Sequence, residues 1–147
     1  MQLTTSLDPA AGEFEADAQA IRSLLTNLIE NSLDACRLDG KKSEHQVAVR
    51  LQGYPEYVQY EVEDDGIGMD QETREKAFSL FFSSKGTEGT GLGLFVSNRI
   101  AWSHGGTIEL ESEPGVGTLF LVRLPRKRPP QQEPEDPHPS ETEALNG

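Results

Sequence analysis

The chain has 147 residues, 35% of them apolar, and a formal net charge of −12, which fits one domain burying roughly two thirds of its unfolded surface. The acidic balance argues against nonspecific nucleic-acid binding, which needs clustered Lys and Arg to neutralise phosphates. Cys36 is the only cysteine, so an internal disulfide and a Cys-rich metal site are excluded and a reducing, cytoplasmic setting is expected; no apolar run reaches membrane-span length, and the start lacks the basic-then-apolar order of a signal peptide.

In chain order, Asp17 can cap a helix running to about Arg37, where Ile21, Leu25, Leu28, Ile29, Ser32 and Cys36 fall on one arc at roughly 100° per residue. That arc predicts a face packed on a sheet. Val47, Val49 and Leu51 alternate with polar residues, as do Val58, Tyr60 and Val62. Gly53-Tyr54-Pro55-Glu56 between them reads as the turn of an antiparallel pair. A short helix is predicted over 70–77 and a longer one over 90–104. A last strand pair is predicted over 107–112 and 118–124, joined by Glu113-Pro114-Gly115-Val116-Gly117. His104-Gly105-Gly106 closes the longer helix, with Gly105 as its stop and His104 as a last-turn partner of the helix dipole. The mixture predicts an α+β fold, a two-layer α/β sandwich whose mixed, mostly antiparallel sheet is covered on one face by helices. Residues 1–125 form this domain. From Arg126 the Pro-, Glu-, Gln- and Ser-rich sequence predicts a disordered tail over 126–147.

Four blocks carry chemistry. On the first helix Asn27, Glu30, Asn31 and Asp34 stand at i, i+3, i+4 and i+7 and form one polar stripe opposite the apolar arc. An Asn oxygen facing a triphosphate suits Mg²⁺, a hard ion that keeps several waters and takes one or two protein groups. In Asp64-Asp65-Gly66-Ile67-Gly68 a strand ends in carboxylates, followed by glycines that tolerate φ > 0 and leave room for a ligand. A buried carboxylate there can accept the exocyclic amino proton of adenine, where guanine presents an oxygen. Phe78-Ser79-Leu80-Phe81-Phe82 precedes a short segment with Lys85, Gly86 and Gly89, in which phenylalanines can anchor a lid and the glycines can hinge it. Gly89-Thr90-Gly91-Leu92-Gly93-Leu94 is neither a Walker loop nor the dinucleotide pattern. It opens a helix, where free N–H groups and the positive dipole end favour phosphate. Repulsion of an anion by the net charge is screened beyond about 8 Å, so the site must supply its own local positive potential. Lys85 is the best cation for this, with Arg37 second.

The order and spacing of these blocks resemble the N, G1, F and G2 boxes of the Bergerat-type ATPases, and among these the ATP-binding catalytic domain of sensor histidine kinases, over about Phe14 to Leu124. The resemblance implies the Bergerat fold, with ATP and Mg²⁺ as ligands. It assigns the magnesium contact to Asn31, a supporting phosphate contact to Asn27, and the adenine role to Asp64, with Asp65 at a variable position. Gly66 and Gly68 complete the G1 element, Lys85 serves the β- or γ-phosphate, and Gly89, Thr90, Gly91, Leu92, Gly93 and Leu94 line the phosphates. Thr118, in Gly115-Val116-Gly117-Thr118, matches a later element whose threonine helps fix the base. The implied partners are a histidine-bearing dimerisation domain, in the same or another chain, and a response regulator downstream. Nucleic acid and direct membrane contact are not expected, and the implied location is cytoplasmic, including the cytosolic part of a membrane-bound sensor.

Three departures bound the reading. His45, His104 and His138 are the only histidines, and none lies in a long helical pattern before the first block, so an acceptor must come from elsewhere. Hydrolytic clamp members of the superfamily place a glutamate where this chain has Asn27, and an amide is no general base near neutral pH, which argues against such a clamp and leaves neighbouring Glu30 as the one substitute. No residue is therefore assigned as catalytic. Asp34 stands where many histidine kinases have a cation. A stand-alone serine/threonine kinase of the anti-sigma type and a nonenzymatic nucleotide-sensing module are the alternatives to a histidine kinase domain.

Overall fold

The computed structural model describes residues 1–79 and 93–127. Five strands form one sheet, β1 (Gln2–Leu7), β2 (Gln46–Gly53), β3 (Tyr57–Asp64), β4 (Thr107–Glu113) and β5 (Gly117–Pro125), in the spatial order β1-β2-β3-β5-β4. β1 runs parallel to β2 and the other pairs are antiparallel. The helices are α1 (Ala18–Leu38), α2 (Gln71–Lys76) and α3 (Gly93–Ser103), with a short 3₁₀ helix at Pro9–Ala11. This is the expected α+β sandwich. β1 and the 3₁₀ helix were not legible in the sequence pattern.

Alternation puts Val58, Val62 and Asp64 of β3 and Thr118, Phe120, Val122 and Leu124 of β5 on one buried face, where α1 and α3 pack. Asp17 caps α1 by accepting from the N–H groups of Gln19 and Ala20, as predicted. The buried stripe of α1 is Ile21, Leu24, Leu28, Ser32 and Cys36. Leu24, not Leu25, lies at its centre, because the steps between buried positions follow the i, i+3, i+4 ridge that faces the sheet. Leu25 and Ile29 flank it, half-buried. Ser97 of α3 lies fully buried against α1, with Oγ 3.4 Å from the Leu24 carbonyl.

The end of α3 locks the two helices together. Gly106 N–H bonds to Ala101 O and Gly105 N–H to Trp102 O, a Schellman arrangement with Gly105 at φ 78°. His104 is buried, and its Nε2 accepts from the Asp17 N–H at 3.0 Å while Nδ1 lies 2.9 Å from the Ile100 carbonyl. Those contacts require a neutral ring protonated at Nδ1. His104 is thus structural as expected, but it caps through neutral hydrogen bonds and not as a charged dipole partner. The domain also extends past its expected boundary: Arg126 reaches the carbonyls of Ala10, Ala11, Glu13 and Tyr54 and belongs to the fold. Residues 128–147 lie outside the described residues.

Candidate nucleotide site

The site forms where three strands and one helix end together. Register places Asp64 of β3 opposite Thr118 of β5, and Thr118 opposite Ser112 of β4. The Ser112 and Thr118 hydroxyls are 2.8 Å apart, Ser112 Oγ donates to Gly117 O at 2.8 Å, and it accepts from the Met69 N–H at 2.8 Å. Ser112 therefore ties the β4–β5 turn to the segment after Asp64. The sequence reading missed it, although its alternation with Ile108 and Leu110 already put a hydroxyl on the inward face.

Asp64 is buried, with 4% of its surface exposed. Its Oδ1 accepts from the Gly66 N–H at 2.9 Å. Its Oδ2 and the buried Ser32 Oγ have no hydrogen-bond partner among the described residues. Burial pushes the carboxyl up from its ordinary range, opposed by the Gly66 amide and by the nearby Ser32 hydroxyl and Thr118 amide, and reinforced by the charge of Asp65. Ser32 lies near enough to bear on the charge without making a well-formed bond. A buried acceptor left open is costly, and no donor for this oxygen lies among the described residues. The exocyclic amine of adenine is such a donor.

Two glycines shape this corner in an unforeseen way. A Cβ on Gly66 would lie 2.5 Å from the Ala35 carbonyl carbon of α1, and Ile67 N–H bonds to Ala35 O. Gly68 has φ +70°, and a Cβ there would strike the Glu113 carbonyl. The space these glycines leave is filled by protein backbone, not by a ligand. Their missing side chains let α1 and the β4–β5 turn close around Asp64. Asp65 is structural as well, accepting from the Gln46 N–H at 2.9 Å while its carbonyl accepts from Lys42.

Asn27 and Asn31 are half-buried on α1. The Asn27 side chain abuts Gly93 at the start of α3, its Cγ 3.7 Å from where a Cβ would stand, so the first and fourth blocks do meet. Leu94 is partly buried against the core, where its side chain serves packing. Asp34 pairs with Arg37 at 2.8 Å. That pairing compensates the acidic position that departs from the kinase pattern, and it engages the guanidinium expected to serve as the second phosphate cation. Lys85, Gly89, Thr90, Gly91 and Leu92 lie outside the described residues, as do Phe81 and Phe82. Phe78 packs edge-on against Phe120, with ring centroids 6.5 Å apart.

A concavity of about 380 Å³ lies behind this corner, lined by Ala48, Glu63, Glu111 and Leu119 and reaching Asp64 and Thr118 at the strand ends. By strand alternation these four residues lie on the sheet face opposite α1 and α3, and the carboxylates there repel an anionic nucleotide. Asp64 itself is buried on the opposite, helix-covered face.

A family model described as histidine kinase-, DNA gyrase B-, and HSP90-like ATPase matches residues 16–128. The chain belongs to this ATPase family. Membership brings ATP binding with it. Sensor histidine kinase ZraS of Klebsiella oxytoca is 40% identical over 125 residues, 85% of this chain and 26% of that protein. A probable C4-dicarboxylate sensor kinase of Halalkalibacterium halodurans is 41% identical over 107 residues, 71% of this chain and 20% of that protein. The catalytic domain of histidine kinase ThkA, in a nucleotide-free form, is 28% identical with a TM-score of 0.72, covering 86% of this chain and 80% of that one. This ATPase domain thus spans about a quarter or less of the curated relatives it matches.

Proposed function

We propose that this ATPase-family domain binds Mg²⁺-ATP between α1, the start of α3 and the ends of β3, β4 and β5. In this reading it presents the γ-phosphoryl to a histidine on a dimerisation domain, as the catalytic part of a two-component sensor kinase feeding a response regulator. The observation that carries the reading is the open Asp64 Oδ2, buried beneath Ser32 with no donor among the described residues, in a chain whose relatives bear the names of sensor histidine kinases.

In this mechanism Asp64 accepts the adenine amino proton and selects against guanine, which offers an acceptor at that position. Thr118, held by Ser112, fixes the base beside it. Asn31 holds Mg²⁺ and Asn27 supports the phosphates. The bound ion supplies neutralisation of charge on the phosphate oxygens. Lys85 and the backbone N–H groups of 89–94 supply the remaining positive potential. Catalysis is then positioning and charge neutralisation.

A chimaera tests this: residues 1–127 replace the corresponding domain of ZraS, and the protein is incubated with γ-labelled ATP. Acid-labile, base-stable label on the ZraS histidine is the expected result. Label that is acid-stable supports the serine/threonine kinase class instead. A chimaera that binds ATP without transferring label, beside a labelled native ZraS, contradicts the kinase reading.

A further inference from the structure

The two edges of the sheet differ in how they are guarded. β4 carries Glu109, Glu111 and Glu113 along its length, the kind of charged edge that discourages pairing with another chain. β1, Met1 excluded, reads Gln-Leu-Thr-Thr-Ser-Leu, with no charge and no proline in a molecule of net charge −12. Every residue of β1 is exposed, and Leu3 and Leu7 are 52% and 72% exposed.

The hydrogen bonds of β1 say which groups have no partner among the described residues. Gln2 N–H bonds to His45 O and Asp8 N–H to Leu51 O, each at 2.9 Å. In a strand alternate residues point to the same neighbour, so Gln2, Thr4, Ser6 and Asp8 face β2. Leu3, Thr5 and Leu7 turn their N–H and C=O groups outward. These three also place their side chains on one face, and Leu3-Thr4-Thr5-Ser6-Leu7 is nearly palindromic about Thr5.

We propose that β1 pairs with β1 of a second copy of this chain, antiparallel and centred on Thr5, joining two sheets into one across a two-fold axis. In that register Thr5 faces Thr5, and Leu3 faces Leu7 of the second copy. All of these are outward-pointing residues, so each pair exchanges both backbone hydrogen bonds. On one face leucine packs on leucine, and on the other Thr4 meets Ser6. A register shifted by one residue sets outward-pointing residues opposite inward-pointing ones and loses the ladder. The match of outward amides, apolar face and two-fold symmetry is what an isologous contact requires, and it singles out a second copy over an unrelated strand. One strand pair falls below the ~1,200 Å² of a standard interface, so the dimer is reversible and concentration-dependent.

Sedimentation velocity of the full chain over a wide concentration range tests the proposal. The wild type is expected to shift from monomer to dimer. Thr5→Pro removes an outward N–H that β2 does not use, and it is expected to stay monomeric with an unchanged circular dichroism spectrum. Leu3→Lys/Leu7→Lys and Leu3→Glu/Leu7→Glu chains are each expected to be monomeric alone and to form a heterodimer when mixed, since the register sets Lys against Glu at both positions. A wild type that remains monomeric throughout overturns the proposal. So does association that survives Thr5→Pro, or mixed charge variants that stay apart.

Discussion

Asp64→Asn separates what the fold wants from what the site needs. Burial raises the Asp64 carboxyl above its ordinary range, so its ionisation at neutral pH works against folding. Asparagine keeps the acceptor for the Gly66 N–H and offers Nδ2–H to the partnerless Ser32 Oγ. A net hydrogen bond contributes about 0.5–1.5 kcal/mol, and relief of the buried charge adds to it. The hydrogen bond alone raises the melting temperature by roughly 2–6 °C for a domain of this size. Binding moves the other way. The charged acceptor for the adenine amine is lost, costing about 1.5–3 kcal/mol, which is roughly ten- to over a hundredfold in affinity. Thermal unfolding without nucleotide and calorimetric titration with Mg²⁺-ADP read the two effects. A variant that is less stable than wild type, or that binds ADP equally well, refutes the assignment of Oδ2 as a buried acceptor reserved for the base.

Further outcomes follow from the same geometry. Gly68→Ala forces a side chain at φ +70° into the Glu113 carbonyl and should cost more than about 2 kcal/mol, read as a drop in urea midpoint; an unchanged midpoint contradicts the tight closure of the turn. Asp8, Asp39 and Asp70 are held below the ordinary carboxylate range, chiefly by backbone N–H groups at Asp8 and Asp70 and by the His45 ring at Asp39. Their stabilisation is present above that range and disappears as pH falls through their lowered values. Asp39→Asn should accordingly shrink the loss of stability on acidification, measured as urea midpoints between pH 6 and pH 3. Deleting residues 129–147 should leave affinity for Mg²⁺-ADP unchanged, since Arg126 is the last anchored side chain among the described residues; a clear loss on truncation places part of that segment in the site.

What the sequence disclosed and what it withheld divide along a physical line. Asp64 was singled out by the resemblance of Asp64-Asp65-Gly66-Ile67-Gly68 to the family pattern, and α1 was legible from its cap and its period. Ser112 was not, because its role depends on a register that brings it beside Thr118 and onto the amide of Met69. The work of Gly66 was misread for the same reason: only the fold reveals that Ala35 of α1 occupies the space a side chain would need. Arg126 looked like the start of a polar tail, yet it gathers carbonyls from residues more than a hundred positions earlier. β1 carries no strong apolar alternation of its own, and its strand state comes from pairing with β2 across the whole of α1.

The central claim is the placing of the nucleotide on the helix-covered side of Asp64. Titration of the labelled chain with Mg²⁺-ADP, followed by backbone amide resonances, tests it most directly. The largest shifts are predicted at Ser32, Gly66, Met69 and Thr118, around the open carboxylate oxygen. Shifts concentrated at Ala48, Glu63, Glu111 and Leu119, on the face opposite α1 and α3, or no shifts at saturating nucleotide, contradict it.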